Sequence, residues 1–289
     1  MSSRIAAARD ILRYLLSHPV AGRQPVRSVA RVVAWQVRSR LARGPINHRW
    51  VGKTRLMMTR GMPGASGNVY LGLHEFSDMA FTVHFLRAGD RFCDIGANVG
   101  TYTILAATLC GARCDTFEPD AGTLARLRAN IAANGIGPLV DVHPVVLSGE
   151  NGTVAFTVGL DTINRVTDAG PGSRTVEARK LDDMLATMPR LIKIDVEGHE
   201  DAVFAGANDV MAAPELQAII VETVGQPTLD LFASHGFVER HYDPYQRRLS
   251  LEPNPWVDNN RLFVRADALA DVERRVKEAP AISVFGIAV

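Results

Sequence analysis

The residues predict an α/β fold, a mostly parallel sheet with helices on both faces. Three observations carry that reading. The apolar segment 91–95 runs straight into the glycine loop Gly96-Ala-Asn98-Val-Gly100, and a helical pattern follows. A second strand-like segment, 113–117, ends in Glu118. Beyond it, strand-length apolar runs alternate with helix-length amphipathic runs as far as residue 265. That alternation is what parallel strands joined by crossover helices require, and ligands in such sheets gather at the carboxyl ends of the strands.

Each element has a local reason. Residues 3–17 place Ile5, Ala8, Leu12, Leu15 and Leu16 at helical spacing between arginines, and His18-Pro19 ends the run. A second helical stretch, from about Val26 to Leu41, is stopped by Gly44-Pro45. The glycine-rich residues 61–72 read as a loop or hairpin, and 75–87 as a helix closed by Ala88-Gly89-Asp90. Then come strand 91–95, helix 102–109, strand 113–117, a helix over 121–134 ended by Gly135, and strand 140–146. Residues 154–158 and 174–179 form an extra strand pair joined by a polar loop. Short helix 181–187, strand 191–196, helix 201–211, strand 218–224 and helix 228–235 follow, and strands 237–242, 247–251 and 261–265 complete the sheet. The expected organisation is a basic helical extension over 1–60, the main domain over 61–270 and a C-terminal tail over 271–289.

Composition sets limits. With 47% hydrophobic and 22% charged residues the chain reads as an ordinary soluble globular protein. No apolar run reaches the roughly 18–20 residues of a membrane-spanning helix. The expectation is a cytoplasmic protein. Charge is unevenly spread: thirteen Lys and Arg against Asp10 give +12 over residues 1–60, which leaves −11 for the remainder of a chain whose total is +1. Residues 1–45 could therefore touch the inner face of a membrane peripherally, or pack on the main domain with their arginines solvated. No aromatic-studded module accompanies the arginines, so nucleic acid is not the expected partner. Cys93, Cys110 and Cys114 form no Cys-x-x-Cys pair and read as buried thiols without a zinc site.

A strand, a glycine loop, a helix and a second strand tipped with one carboxylate form a nucleoside-binding arrangement. Asn98 stands where the dinucleotide pattern has its middle glycine, and a side chain there disfavours a pyrophosphate. A ligand without phosphates, such as S-adenosylmethionine, fits better. Asp94 could receive that ligand's ammonium, and Glu118 could accept from its ribose hydroxyls. The second polar cluster is Lys193-Ile-Asp195-Val-Glu197-Gly-His199-Glu200, at the end of another strand. Asp195, Glu197 and His199 should project around the same cleft, where they suit proton abstraction from a hydroxyl or a divalent metal. Glu200 fits a plainer role as an acid in the first turn of a helix.

Read together, Phe92-Cys-Asp-Ile-Gly-Ala-Asn-Val-Gly-Thr-Tyr-Thr, Phe117-Glu-Pro, Val146-Leu-Ser148, Leu181-Asp-Asp183, Ile192-Lys-Ile-Asp-Val-Glu-Gly-His-Glu and Val221-Glu222 resemble the FkbM family of S-adenosylmethionine-dependent methyltransferases. The resemblance spans roughly residues 70–265, with Asp195-Val-Glu-Gly-His-Glu200 its most specific part. It implies the class I, Rossmann-like methyltransferase fold, with seven strands of which the last runs antiparallel. It implies O-methylation of a sugar, a glycan or a secondary metabolite. It gives the cofactor role to Asp94, Gly96, Asn98, Gly100 and Glu118, and more weakly to Ser148 beside the adenine. It places Asp195, Glu197 and His199 at the reaction centre, with His199 or Asp195 as the base. Magnesium dependence stays open, with Asp195 the metal ligand if there is one. The readings held against it are an NAD-dependent oxidoreductase, which Asn98 and the Asp195–His199 cluster disfavour, and a non-catalytic nucleoside-binding module. The loop 160–171 and the segment 242–256 are expected to shape the acceptor pocket, with Tyr245 and Trp256 as candidate sugar-stacking rings.

Overall fold

In the computed structural model, residues 9, 12–59, 61–157, 165–256 and 260–289 are described. Eight strands form the main sheet: β1 (Arg91–Ile95), β2 (Arg113–Phe117), β3 (Val140–His143), β4 (Leu191–Ile194), β5 (Ala218–Val221), β6 (Phe237–Asp243), β7 (Arg248–Ser250) and β8 (Arg261–Arg265). Their order is β3-β2-β1-β4-β5-β8-β6-β7. The first five run parallel, and β8 inserts antiparallel between β5 and β6. The expected Rossmann-like class I sheet is therefore present, and the short hairpin strand β7 extends it to eight.

Alternation along the central strands builds one core on each face. Phe92, Leu191, Ala218 and Ile220 belong to one buried cluster, and Cys93, Ile192, Ile219 and Val221 to the other. The connections change sides between β1 and β4, which opens a crevice at their carboxyl ends. The loop after β1 and the turn after β4 meet there.

The helices mostly fall where periodicity put them. α1 (Pro25–Leu41) is the basic helix. Residues 12–17 are helical too, whereas 1–8, 10 and 11 lie outside the described residues. α3 (Phe76–Phe85) is buried along its whole length. α4 (Thr101–Leu105) opens directly off the glycine loop. α5 (Ala121–Asn134) is capped by Asp120, which accepts from Thr123 N at 2.8 Å, and ends at left-handed Gly135.

Three expectations need correction. Residues 61–72 hold a helix, α2 (Pro63–Leu71), instead of a loop. Pro63 suits its first turn, and Gly67 permits the imidazole of His74 to lie where a Cβ would meet it at 2.3 Å. Tertiary packing thus overrides the weak helix propensity of glycine. The helix expected over 201–211 is split into α6 (Glu200–Ala205) and Asn208–Ala212 at Gly206, where a Cβ would meet Ser148 O at 2.3 Å, so only glycine lets the chain pass there. Residues 271–289 are no loose tail: α7 (Leu269–Glu278) buries Val272 and Val276, and a terminal hairpin buries Val284 and Val289. The Arg247 guanidinium ties these parts together through Val276 O at 3.0 Å and Val289 O at 3.1 Å.

A second sheet lies over the crevice. Its strands run in the order Val146–Leu147, Ser173–Arg179, Gly152–Thr157, Val166–Thr167. The expected pair over 154–158 and 174–179 forms its middle, with residue 158 outside the described residues. Of the loop 160–171, residues 160–164 lie outside the described residues. Among the described residues no helix is long and apolar enough to cross a membrane.

Candidate active site

The glycine loop closes tightly against the end of β4. Gly96, Asn98 and Gly100 all have positive φ, of 73°, 53° and 85°. A Cβ on Gly96 would sit 1.9 Å from Asp195 O, so only glycine fits that crossing. Gly96 N and Ala97 N both donate to Phe117 O, at 3.1 and 3.0 Å, which ties the loop to the tip of β2.

Glu118 stands at that tip and is buried. Its Oε2 accepts from Asn98 N at 3.0 Å and its Oε1 from Asp120 N at 2.8 Å. Burial outweighs these bonds and pushes its pKa up to about 7. Asp94 is also buried, but under the loop. Its Oδ2 accepts from Thr103 N at 3.0 Å and from Thr103 Oγ1 at 2.5 Å, which fixes the start of α4. Its Oδ1 has no partner among the described residues. Burial raises the Asp94 pKa against the opposing pull of Lys193 and Thr103.

Lys193 was only a letter in a motif at the sequence level. In the structure it pairs in register with Asp94 across β4 and β1, 4% exposed, inside the sheet. Its ammonium meets Asp195 Oδ2 at 2.9 Å and lies over the Tyr102 ring at 5.1 Å from the centroid. Burial alone would lower its pKa, yet Asp195, Glu75 and Asp94 together hold it above its ordinary value. Lys193 in turn holds the Asp195 carboxyl below its usual range. A lysine inside the apolar strand Leu-Ile-Lys-Ile was the signal that could have marked it, since a buried charge needs partners.

After Asp195 the chain turns sharply, with Glu197 at φ 55° and Gly198 at φ 91°. Glu200 is buried beneath this turn and accepts from Val196 N at 3.0 Å and Gly198 N at 3.4 Å, the plain structural role expected of it. Burial, then Asp195 and Glu200, raise the Glu197 pKa. His199 Nε2 lies 3.3 Å from Ser148 Oγ, and burial lowers its pKa, so the ring is neutral at pH 7. Glu222, just past β5, hydrogen-bonds Asp195. Its own pKa is raised to about 7 by burial, then by Asp195 and Glu197.

These groups surround two adjoining cavities, of about 570 and 750 Å³ counted out to their mouths. The first is largely apolar, lined by Phe117, Val145, Leu147, Phe156 and Val166, with Glu118 and His199 at its polar edge. The second is mixed and more polar than the first, lined by Asn68, His74, Glu75, Tyr102 and Lys193 together with Met79 and Val99. Gly96, Asn98, Asp195 and Glu197 line both and form the wall between them. Asp94, Gly100 and Ser148 line neither. Asp94 and Gly100 shape the loop from beneath, and Ser148 holds His199 from outside. Asn68, His74 and Glu75 come from α2 and the turn after it, where no sequence motif marked them. Among the described residues, no three His, Cys, Asp or Glu side chains converge as a metal site would require.

Tyr245 and Trp256 do not face either cavity. They pack on Phe76, Tyr245 donates to Pro19 O at 3.0 Å, and Trp256 Nε1 donates to Ser77 Oγ at 2.7 Å. Both are structural rings that fasten the N-terminal segment and α3, which corrects the sugar-stacking expectation.

Comparison with known proteins bears on the same region. The methyltransferase FkbM domain model matches residues 94–262, more than half of the chain. A curated relative, the hexuronic acid methyltransferase AglP of Haloferax volcanii, is 27% identical over 140 residues, which is 46% of this chain and 55% of that protein. The chain thus spans about half the length of the curated relative it matches. Among solved structures, methyltransferase FkbM from Methylobacillus flagellatus shares 18% identity at a TM-score of 0.42, over 61% of this chain and 43% of that one. A SAM-dependent O-methyltransferase from Thermotoga maritima shares 12% identity at a TM-score of 0.37, over 65% of this chain and 64% of that one.

Proposed function

Because this chain belongs to the methyltransferase FkbM family, we propose that it transfers a methyl group from S-adenosylmethionine to a hydroxyl oxygen of a sugar-bearing acceptor. The observation that carries this reading is the shared wall: Gly96, Asn98, Asp195 and Glu197 separate a largely apolar cavity from a more polar one. A methyl donor with an apolar base at one end and an acceptor rich in hydroxyls would meet at such a wall. The AglP match supports a sugar acid as the acceptor class.

The residues present fit the donor. Glu118 offers buried carboxylate oxygens to a ribose, beside a cavity with apolar walls for a base. Asp94 Oδ1, buried and without a partner among the described residues, is an acceptor left over for an ammonium. When bound, the sulfonium supplies an electrophilic methyl group. The protein then has to align the acceptor oxygen and take its proton, and alignment alone can contribute on the order of 7–11 kcal/mol.

Asp195, kept ionised by Lys193, is a weak base but a strong hydrogen-bond acceptor, so it orients the acceptor hydroxyl. His199, neutral at pH 7, is the proposed proton acceptor. A second assignment is Glu197, favoured because it lines both cavities and burial raises its pKa. Labelled-methyl transfer to a panel of uronic acids, neutral sugars and glycolipids tests the acceptor class. In the same assay His199→Ala should lower kcat by about a hundredfold or more while S-adenosylhomocysteine still binds. If His199→Ala retains full kcat and Glu197→Gln loses it, the base is Glu197.

A further inference from the structure

The proposed reaction uses nothing from residues 9–60 except the support they give to α2. Yet the most unusual surface of the molecule lies there. Among the described residues the large hydrophobic side chains left exposed are Leu12, Tyr14, Leu16, Val26, Val29, Val33, Val37, Leu41 and Leu251. All but Leu251 fall within thirty residues of each other in sequence. Scattered exposed leucines and valines need no explanation, but a concentration of them on one segment does.

On α1 they form a stripe. Val26, Val29, Val33 and Val37 follow one another by three, four and four residues, which keeps them on one face. Their exposures are 81, 40, 56 and 52%, and Leu41 continues the line at 77%. The opposite face carries the buried Ser28, Trp35 and Ser39. Docking on that side is specific. Ser28 Oγ donates to Ala21 O at 2.8 Å, Gln36 Nε2 donates to Tyr70 OH at 2.8 Å, and Trp35 meets His48 edge-on at 6.0 Å. The stripe is therefore held outward by a helix fixed to the body.

Exposed arginines border it. Arg27 and Arg38 each follow a stripe residue and lie about 100° round the helix from it. Arg40 and Arg43 stand at its carboxyl end, and all four are exposed. Arg40 also donates to Gln36 O and Oε1, both at 2.6 Å, while Arg23 and Arg31 lie on the rings of Tyr245 and Phe285. From residue 11 to residue 60 there is no acidic residue at all, whereas the rest of the chain beyond 60 carries −11. That separation of charge would turn the N-terminal face toward a negative surface and the body away from it.

We infer that α1 docks on an anionic phospholipid bilayer, with Val26, Val29, Val33, Val37 and Leu41 entering the interface and Arg27, Arg38, Arg40 and Arg43 meeting lipid phosphates. An outward apolar stripe flanked by arginines is the pattern of a helix lying in the plane of a membrane surface. α1 rests on α2, the helix that brings Asn68 to the polar cavity, so docking would hold that cavity close to acceptors carried by the membrane.

The test is flotation of the full chain with vesicles of phosphatidylcholine alone, or with one-third phosphatidylglycerol, in about 0.05 M and about 0.5 M salt. The chain should float with the anionic vesicles at low salt, and binding should fall steeply at high salt or on neutral vesicles. Arg27→Gln/Arg38→Gln/Arg43→Gln should weaken binding by about a hundredfold, at about fivefold per arginine near the surface. Val33→Asn/Val37→Asn should weaken it at both salt concentrations. Melting temperatures of both variants should match the parent, since every substituted side chain is exposed. Failure of the parent chain to float with anionic vesicles at low salt would overturn the inference. So would a parent chain that sediments as a dimer and becomes monomeric in Val33→Asn/Val37→Asn, because a second copy would then cover the stripe. Neither result would touch the methyl-transfer reading, which the labelled-methyl assay tests with soluble acceptors.

Discussion

Replacing Lys193 with Met removes the one ammonium among Asp94, Asp195 and Glu75 while keeping the length and much of the volume of the side chain. The pair with Asp195 is 2.9 Å long, and the lysine side chain is only 5% exposed. At an effective dielectric of about 20 the gross attraction over that distance is about 6 kcal/mol. Much of this offsets the desolvation of two ions. The net cost of deleting one partner of a buried pair is about 3–5 kcal/mol, because the other is stranded. At about 2–4 °C per kcal/mol in chains somewhat smaller than this one, the melting temperature should fall by at least about 6 °C. The pH dependence should also steepen, because Glu118 and Asp94, raised by burial, already make the parent less stable as pH rises. In the parent, Asp195 has a folded pKa below its unfolded value, so its contribution is complete above the unfolded pKa and is lost as pH falls through the folded one. In Lys193→Met, Asp94 and Asp195 have no cation, their folded pKa values rise, and their contribution is lost as pH rises instead. The variant should therefore lose more melting temperature between pH 5 and pH 8 than the parent does. Thermal denaturation by circular dichroism across that range reads both effects. A melting temperature within about 2 °C of the parent, with the parent's pH trend, would refute the account of Lys193 as the counter-ion of this site.

Other consequences are as specific. Glu118 has its pKa raised to about 7, and hydrogen bonds from a ribose would favour the ionised form. Calorimetry should therefore show S-adenosylhomocysteine binding about tenfold more tightly at pH 8 than at pH 6, with proton release, and Glu118→Gln should flatten the trend. The same shift makes Glu118 destabilising to the free protein by about 3 kcal/mol as pH climbs from its unfolded pKa to about 7. Gly96→Ala places a Cβ 1.9 Å from Asp195 O at positive φ, so it should cost about 2–5 kcal/mol and weaken S-adenosylhomocysteine binding at least tenfold. Trp256→Phe should cost about 0.5–1.5 kcal/mol through the lost bond to Ser77 and leave KM for the acceptor unchanged; a raised KM would return the ring to the binding site.

What the sequence made legible is what local rules determine. The helix over 121–134 is placed to the residue because Asp120 caps it and Gly135 ends it. The glycine loop was visible because its residues are contiguous and its conformation excludes most others. Lys193 was harder: the pattern contained it, but its meaning depends on Asp94 beside it in register and on Asp195 and Glu75 nearby, three residues from three segments. Tyr245 and Trp256 misled because an aromatic pair in a late loop looks the same whether it stacks on a ligand or on Phe76.

The polar cavity shows the same limit from the other side. One side of it is built by Asn68, His74 and Glu75, which precede the glycine loop; Asn68 was read as part of a loop or hairpin and Glu75 as a helix start. Their positions rest on packing that no local pattern announces: Gly67 yielding space to His74, Asn68 Oδ1 accepting from His74 N at 3.1 Å, and Asn260 donating to Glu75 at 3.3 Å. The motif residues Asp195 and Glu197 reach this cavity only as its back wall. If the donor occupies the apolar side, the acceptor must be read by the segment 68–75, whose carboxylate, imidazole and amide line the same cavity as Lys193. Substitutions at Asn68 or Glu75 should therefore change which acceptor is methylated, measured as the ratio of kcat/KM between a uronic acid and its neutral sugar, while leaving S-adenosylhomocysteine affinity within about threefold. An equal loss for both acceptors together with loss of S-adenosylhomocysteine binding would assign the polar cavity to the donor instead.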